Sequence, residues 1–378
     1  MKLSCSQENL NRGLAIVGRA VAGRTTLPIT NNILLATEGN RLRLAATNLE
    51  LSISFWLDAQ VEEEGTITVP SRLITDFVNS LPNDRTSLAL SPGSRTLELR
   101  CARYEARISG LDSSDFPQIP RVADVEGTAI EVAHDALRQA INHVAFAASV
   151  EDSRPVLTGV QAEFDGDQLT LAAADGFRLA VHSLSLSSQV EKMAVIIPAR
   201  CLSELTRLLG DHEDSVGITV NSKRNQVLFK LKDIEVVSQL IQGTFPNYHQ
   251  LIPKGFATRA VVSLSDFLKA TRSASVFARD GSGIVRLMMT PRGEASEGKM
   301  SISARAEEVG DNLGEVDAVV EGEEAKIAFN GKYLTDVLGV LSGEKVALET
   351  TSPSSPGAIR LLGTDNYVHV VMPMFVQW

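Results

Sequence analysis

The chain of 378 residues carries one strand-and-helix pattern three times, and this repeat constrains its fold more than any other feature. The copies begin 128 and 132 residues apart (66 to 194, then 194 to 326). They are TITVPSRLITDFVNSL at Thr66–Leu81, AVIIPARCLSELTRLL at Ala194–Leu209 and KIAFNGKYLTDVLGVL at Lys326–Leu341. One structural unit is therefore written three times, which predicts three domains of roughly 100–150 residues each.

Each copy predicts a strand that leads directly into a helix. Up to an anchor residue (Pro70, Pro198 or Asn330), apolar and polar residues alternate, as in a strand with one buried face. After the anchor, apolar residues recur with helical spacing and form one stripe. The stripe residues are Ile74, Phe77 and Leu81, then Leu202, Leu205 and Leu209, then Leu334, Val337 and Leu341.

A cation stands two positions after each anchor, as Arg72, Arg200 and Lys332. A positive charge in the first turn of a helix opposes the helix dipole and costs roughly 0.3–1 kcal/mol. Its recurrence in register indicates a use for the charge, because a local rule broken three times is seldom accidental. The alternative is a solvated surface charge at each position.

The remaining elements also repeat. Helical spacing at Leu3–Ala20 returns at Ile130–Ala147 and, interrupted by Arg272, at Leu264–Arg279, with Ser6 and Ser265 as expected N-caps. Strands follow each opening helix, so the order helix, strands, strand–helix and strands favours an α+β domain. The helices are expected on one face of antiparallel sheets. The strands and hairpin turns that support this order are Ile33–Ala36, Leu42–Ala45, Leu169–Ala172, Glu38-Gly39-Asn40 and Asp165-Gly166-Asp167.

Proline pairs close each third of the chain. Phe116-Pro117, Phe245-Pro246 and Met372-Pro373 lie 129 and 127 residues apart (116 to 245, 245 to 372), and proline favours stiff extended connections. The predicted domains are therefore 1–120, 121–253 and 254–378.

Charge is distributed by element type. The net charge of −10, taken alone, argues against a nucleic-acid partner. Eight acids and no base lie between Glu307 and Glu324, however, whereas the predicted helices are rich in cations. These are Arg12, Arg19, Arg72, Arg138, Arg200, Arg207, Lys269 and Arg272. The helices are thus expected to form a basic surface on an acidic protein.

Composition and local motifs favour a soluble protein without catalysis. There is no signal-peptide-like start and no apolar run of membrane-spanning length, and Cys5, Cys101 and Cys201 lack metal-ligand spacing, so a cytoplasmic location with reduced thiols is expected. The segment Gly18–Thr25 mimics a P-loop, but it follows a helix instead of a strand. No catalytic residue, metal or cofactor is expected.

Two other classes of protein stay open as alternatives, an enzyme and a protein scaffold. An enzyme with its site between the repeats would need converging titratable groups that the sequence does not show. A protein scaffold without a nucleic-acid partner would agree with the net charge of −10.

Several phrases, taken with the threefold repeat, resemble the bacterial β sliding clamps, the processivity subunits of DNA polymerase III. The phrases are Leu27-Pro28-Ile29, Ala174-Asp175-Gly176-Phe177-Arg178-Leu179-Ala180-Val181, Phe245-Pro246-Asn247-Tyr248, Ile252-Pro253-Lys254 and the terminal Tyr367-Val368-His369-Val370-Val371-Met372-Pro373-Met374. The resemblance covers the whole chain. It implies three domains of the DNA-clamp fold and a head-to-tail homodimeric ring that encircles duplex DNA, with helices lining the hole.

The resemblance also implies partners and sites. Arg24, Arg72, Arg154 and Arg200 are expected to contact double-stranded DNA without regard to sequence, and Ala106 and Ile108 to meet Val276 and Phe277 across the dimer seam. A surface pocket is expected to take short peptide motifs from the replicative polymerase, the clamp loader and repair proteins. Its residues would be Leu157, Ala174, Gly176, Phe177, Arg178, Leu179, Pro246, Leu251, Asn330, Tyr333, Val370, Val371, Met372, Pro373 and Met374.

The chain departs from the family pattern at a few of these positions. Phe177 and Ala174 replace a more polar His and Thr, and Gln250 replaces an Arg. Ala106 is smaller than the usual aromatic residue. The tail continues through Phe375-Val376-Gln377-Trp378, where the family commonly ends sooner.

Overall fold

The computed structural model describes residues 1–23, 27–91, 93–210, 215–279, 281–293, 298–306, 308 and 310–378. Within them the three copies appear as predicted, as antiparallel strands and two helices each. The first copy contains β1 (Lys2–Ser6), α1 (Gln7–Val17), β2 (Asn32–Glu38), β3 (Arg41–Thr47), β4 (Leu51–Asp58), β5 (Gln60–Glu63), β6 (Thr66–Pro70), α2 (Ser71–Ser80), β7 (Arg85–Leu90), β8 (Thr96–Cys101) and β9 (Tyr104–Ser109).

The second and third copies follow the same order with some strands fused. The second contains β10 (Gly127–Val132), α3 (His134–Val144), β11 (Gly159–Ala174), β12 (Arg178–Pro198), α4 (Ala199–Leu209), β13 (Val216–Asn221), β14 (Gln226–Lys230) and β15 (Ile234–Gln239). The third contains β16 (Thr258–Ser263), α5 (Leu264–Arg279), β17 (Ile284–Thr290), β18 (Lys299–Ala306), β19 (Gly310–Gly322), β20 (Ala325–Asn330), α6 (Gly331–Val340), β21 (Lys345–Thr350), β22 (Gly357–Leu361) and β23 (Tyr367–Val371).

The chain packs as two compact units, each with one whole copy and part of the second. Unit 1 comprises Met1–Asp135, Leu186–Val190 and Arg200–Leu240, and unit 2 comprises Ala136–Ser185, Glu191–Ala199 and Ile241–Trp378. The second copy is divided because its strands pair with both neighbours.

Unit 1 contains two sheets. The first has the order β5-β1-β7-β8-β9, and the second β10-β13-β14-β15-β4-β3-β2-β6. The pair β15–β4 joins the second copy to the first, with Ile234 opposite Phe55 and Ser238 opposite Leu51. Helix α1 approaches the larger sheet at Gly13, where a Cβ atom would stand 2.7 Å from both Leu44 and Phe55 side chains.

Unit 2 contains a single ten-stranded sheet with the order β11-β12-β23-β22-β21-β16-β19-β18-β17-β20. Here β23 of the third copy pairs with β12 of the second, with Tyr367 opposite His182 and Val371 opposite Arg178. The core under α5 and α6 is apolar and includes Phe267, Phe329 and Leu334, all fully buried.

The strand–helix anchors form as the sequence predicts. The helices after them begin at Ser71, Ala199 and Gly331. Every residue of the predicted apolar stripe is buried except Phe77, which is half-buried while the adjacent Val78 is buried.

The opening segments differ from the prediction. In the first two copies a strand, β1 or β10, precedes a shorter helix, because the first residues pair with β7 or β13. Ser6 caps α1, accepting from Asn9 N–H at 3.2 Å. In the third copy Ser263, not Ser265, is the capping residue, and it accepts from Asp266 N–H at 3.4 Å. Arg272 does not interrupt the buried face of α5, because Thr271 and Ala274 occupy that face.

Candidate functional site

A cleft of about 790 Å³ opens on unit 2 between the turn after β11, the connector that leads into β16, and the end of β23. Most of its surface is apolar, and such clefts are the usual location of ligand sites. We refer to this cavity as the cleft. It is lined by Ala174, Gly176, Phe177, Arg178, Leu179, Gln250, Leu251, Ile252, Pro253, Lys254, Gly255, Phe256, Ala257, Thr351, Ser355, Pro356, Val370 and Met372.

One wall of the cleft is a tight turn built on Asp175. Its Oδ1 accepts the N–H groups of Phe177 at 2.9 Å and Arg178 at 3.0 Å, which fixes the backbone in an Asx turn. Gly176 has a φ of +96°, a conformation that glycine adopts without steric cost. Phe177 C=O then accepts from Met372 N–H at 2.8 Å, so the turn is tied to the C-terminal segment.

The turn leaves large apolar side chains accessible. Phe177 is 59% exposed and Met372 is 45% exposed, and Leu251 and Phe256 of the connector are also exposed. Folded proteins rarely expose several large apolar side chains at one place. Such an exposed apolar patch is typical of an interaction site.

Arg178 is the charged centre of the cleft, and its side chain is only 7% exposed. Its Nε donates to Asp175 Oδ2 at 3.0 Å, its Nη1 to Asp336 Oδ2 at 2.7 Å and its Nη2 to Phe146 C=O at 3.0 Å. The guanidinium also lies 4.5 Å from the centre of the Tyr333 ring. A buried guanidinium with this many partners holds the turn, α6 and the short turn that follows α3 in one arrangement.

Burial, followed by the negative charge of Asp175, raises the pKa of Tyr333. Its hydroxyl therefore stays protonated and can donate a hydrogen bond beside the Arg178 guanidinium.

Eight of the fifteen predicted pocket residues line the cleft: Ala174, Gly176, Phe177, Arg178, Leu179, Leu251, Val370 and Met372. Leu157 lies below it in a buried apolar cluster with Leu179 and Val370. Asn330 is the N-cap of α6, where its side chain accepts from Lys332 N–H at 2.9 Å. Tyr333 contacts the cleft indirectly, through Arg178.

The remaining predicted residues lie beside the cleft. Pro246 is exposed on the connector and Val371 is buried in β23. Pro373 and Met374 are half-buried, and Met374 N–H donates to Ala328 C=O at 2.8 Å, which lays the tail along β20.

Sequence reasoning missed part of the far wall. Lys254, Gly255 and Phe256 line the cleft, as do Thr351, Ser355 and Pro356 of the loop before β22. Their signal was weak, because a proline-containing connector predicts a linker and says nothing of what it faces. The proximity of Thr351 to the turn at Gly176 is a product of the tertiary fold.

The predicted DNA-contacting cations have different environments. Arg24 lies outside the described residues. Arg72 and Arg200 are exposed near the start of their helices, and Arg72 lies 3.7 Å from Asp76 one turn later. Arg154 donates to Asp175 C=O at 3.4 Å, and its guanidinium lies 3.2 Å from where a Cβ on Gly176 would be, so it borders the turn of the cleft.

The predicted seam residues occupy two surfaces. Ala106 is half-buried and Ile108 buried on β9, which is the last strand of the five-stranded sheet. Val276 is 56% exposed near the end of α5, next to the half-buried Phe277.

The described residues contain no group of three or more His, Cys, Asp or Glu side chains placed to hold a metal. Cys5, Cys101 and Cys201 are free and buried, and burial raises the pKa of Cys5 and of Cys201 to about 12. Neither of these two thiols is activated as a nucleophile. No described helix is both long enough and apolar enough to cross a bilayer.

Comparison with known proteins assigns nearly the whole chain. Residues 1–120, 131–247 and 249–375 match the N-terminal, central and C-terminal domain models of the DNA polymerase III beta subunit. The beta sliding clamp of Synechocystis is 33% identical, and that of Bacillus subtilis 29%, each over 99% of both chains.

Solved structures agree with these matches. The DNA polymerase sliding clamp from Bacillus subtilis superposes with a TM-score of 0.93 at 28% identity, covering all of both chains. A sliding clamp from Pseudomonas aeruginosa bound to griselimycin superposes with a TM-score of 0.90 at 29% identity, again over both full lengths.

Proposed function

Because this chain belongs to the bacterial β sliding clamps, the β subunits of DNA polymerase III, we propose that two copies close around duplex DNA and tether partner proteins to it. The clamp acts by enclosure and docking, with no chemical step of its own. Its working parts are a seam between copies, a DNA-facing set of cations and the cleft on unit 2.

The observation that supports this proposal is how the strands of the repeats pair with one another. The last strand of the second copy pairs with β4 of the first, and the last strand of the third pairs with β12 of the second. The equivalent strand of the first copy is β9, which ends its sheet. The equivalent of β4 in the third copy is Gly310–Gly314 of β19, which within the described residues pairs on one side only, with β18.

The repeat also predicts the register in which β9 of one copy would pair with β19 of a second copy. If β9 pairs with β19 of a second copy as β15 pairs with β4, Tyr104 lies opposite Gly314 and Ile108 opposite Gly310. This head-to-tail arrangement would pair both of these edges in both copies. Ala106 and Ile108 on β9, with Val276 and Phe277 on α5, remain our proposed seam residues.

Arg72, Arg154, Arg200 and, through the repeat, Lys332 are the proposed phosphate contacts, together with Arg24. Such contacts are independent of sequence and weaken with salt. Weak contacts suit a protein that slides, because the closed ring, and not affinity, keeps it on the duplex.

The cleft is the proposed docking site for short segments of the polymerase, the clamp loader and repair proteins. Its exposed Phe177, Leu251 and Met372 suit apolar side chains, and a flexible methionine suits several partners. We further propose that griselimycin, which is bound to the Pseudomonas aeruginosa clamp, occupies this cleft here.

Topology-dependent retention tests the function. The protein is loaded onto nicked circular duplex DNA by a bacterial clamp loader, separated from free protein at high salt, and followed before and after the circle is cut. We expect it to stay on the circle and to leave the linear product through its ends. Equal retention on both forms would mean attachment by affinity, and no retention on either would favour a scaffold that never meets DNA.

A further inference from the structure

One carboxylate oxygen connects the proposed DNA face to the cleft. Asp336 Oδ2, on α6, accepts from Lys332 Nζ at 2.8 Å and from Arg178 Nη1 at 2.7 Å. Lys332 is 72% exposed, Asp336 27% and Arg178 7%. A solvated lysine and a buried arginine therefore share one negative charge.

The repeat shows that this bridge is particular to the third copy. Asp76 and Glu204 occupy the equivalent positions of the first two copies, six residues after their anchors. Asp76 is 72% exposed and pairs with Arg72 at 3.7 Å. Glu204 pairs with Arg19 at 3.2 Å and with Arg207 at 2.8 Å. In the described part of the chain, Asp336 is the one of these three carboxylates that bonds to a residue lining the cleft.

From Arg178 the connection continues to the rim. Arg178 Nε binds Asp175 Oδ2, and the other oxygen of Asp175 fixes the turn that carries Phe177. Phe177 C=O in turn holds Met372. Hence any change in how firmly Asp336 holds Arg178 acts on the two most accessible apolar residues of that wall.

The two bonds to Asp336 respond differently to a nearby phosphate. The Lys332 pair is largely solvated, so an anion competes for the lysine readily, whereas the Arg178 pair is shielded from solvent and little screened. When phosphate engages Lys332, Asp336 loses one cation and binds the other more strongly. Arg178 and the Asp175 turn then become more ordered, which lowers the cost of binding in the cleft.

We propose that Asp336 is a positioning residue that couples DNA to the cleft, so that duplex phosphate on Lys332 raises the affinity of the cleft for its partners. This inference rests on the proposed function of both surfaces. The coupling is reciprocal: an occupied cleft raises the affinity for DNA by the same factor. Partner proteins would therefore bind a clamp on DNA more tightly than a free clamp.

The test compares griselimycin affinity, measured by calorimetry at low salt, with and without a saturating short duplex. For the native protein we expect the dissociation constant to fall about fivefold or more on DNA, the usual scale of such couplings. Asp336→Asn should bring the ratio of the two constants to one. Asp76→Asn, the matched change in the first copy, should leave the native ratio.

Lys332→Gln is the second variant, because it leaves every buried partner of Arg178 in place. Without DNA, it should bind griselimycin as tightly as the native protein does with DNA. Adding DNA should leave its affinity for griselimycin unchanged. If both Asp336→Asn and Lys332→Gln keep the native ratio, the coupling does not run through Asp336 and the inference is refuted. Absence of griselimycin binding by the native protein would instead contradict the proposed function of the cleft.

Discussion

Met372 is the residue at which the proposed docking function can be tested with least disturbance to the fold. Its backbone is fixed by Phe177, but its side chain is 45% exposed at the cleft. Leu179, by contrast, is 2% exposed, and a charge there would lie in the core and destabilise unit 2.

Met372→Glu should therefore weaken griselimycin binding at least about tenfold, because a bound ligand would bury an unpaired charge. Calorimetry gives the affinity, and sedimentation should show an unchanged dimer. Leu362→Glu is the control, since Leu362 is equally exposed at 44% but lies outside the cleft. Equal affinities for the two variants would show that the ligand binds elsewhere.

A second residue-scale feature is a buried histidine cluster in unit 2. His143 Nδ1 lies 3.1 Å from His182 Nδ1, and the His143 ring lies 5.0 Å from that of Tyr367. Burial lowers the pKa of His143 and His182 to about 4, with the charge of His143 contributing to the shift at His182. Burial and then the nearby Arg178 lower the pKa of His369 to about 3.

These shifts predict a stability that falls below neutral pH. Above about pH 6.5 the three histidines are neutral in both the folded and the unfolded chain, so their contribution is complete there. As the pH falls toward 4 the unfolded chain binds protons that the folded chain does not, and the free energy of unfolding decreases by about 1.4 kcal/mol per pH unit for each proton. Urea unfolding between pH 7 and pH 5 measures the slope.

His369→Phe provides the decisive variant. The phenylalanine ring can keep the stacking on Phe146 and cannot bind a proton. The change also removes two ring nitrogens that have no hydrogen-bond partner among the described residues. The slope of the free energy of unfolding against pH should fall by the contribution of one proton, about 1.4 kcal/mol per pH unit. The native slope in His369→Phe would show that the buried ring is not responsible.

At the scale of elements, the proposed seam between two copies joins the outer edge of β9 to the edge of β19 at Gly310–Gly314. The register inferred from the repeat places Leu313 opposite Glu105 of the other copy. Leu313 is 66% exposed, which is unusual for a leucine in a strand and agrees with an edge that another chain covers.

Leu313→Glu should raise the dimer dissociation constant at least about tenfold, since it removes apolar contact and sets two like charges directly opposite each other. Analytical ultracentrifugation over a dilution series measures it. Val319→Glu is the control for Leu313→Glu. Val319 lies on the same strand and is equally exposed, at 66%, but it already pairs within the chain, opposite Val261. A dimer that tolerates Leu313→Glu would show that β9 and β19 do not form the seam.

For the whole molecule, the question is how a protein with a net charge of −10 could enclose duplex DNA as proposed. The cations two residues after each anchor provide a local answer. In the first and third copies each is paired with an acid one turn later, Arg72 with Asp76 and Lys332 with Asp336. These pairs offset the cost of a cation at a helix start, and they would weaken the proposed phosphate contacts enough for the clamp to slide.

The triple variant Arg72→Gln, Arg200→Gln and Lys332→Gln should bind duplex DNA less tightly and with a shallower salt dependence. Each phosphate contact that is lost lowers the slope of log affinity against log salt by about 0.9. Retention on a nicked circle after loading should persist, because it depends on the closed ring. Fluorescence anisotropy gives the slope.

A matched triple removes the same charge from exposed residues of turns and strands, as Arg103→Gln, Lys230→Gln and Arg305→Gln. It should keep the native slope. If both triples change the slope equally, net charge and not position determines DNA contact.

The sequence alone determined the repeated architecture, because strand and helix periodicity are local properties. The anchors at Pro70, Pro198 and Asn330 and the buried stripe after each were predictable residue by residue. The opening strands β1 and β10 were not, since a five- or six-residue strand beside an amphipathic helix does not interrupt the apolar pattern enough to be seen.

The site was accessible to sequence only in part. The Asp175-Gly176 turn and the tail through Met372 were predicted through resemblance, while Phe256 and Thr351 were not. Tertiary structure alone decided that Arg178 meets Asp336, 158 positions along the chain, because β23 of the third copy pairs with β12 of the second. Periodicity fixes which face of an element is buried; which distant charge it meets there depends on how the sheets join.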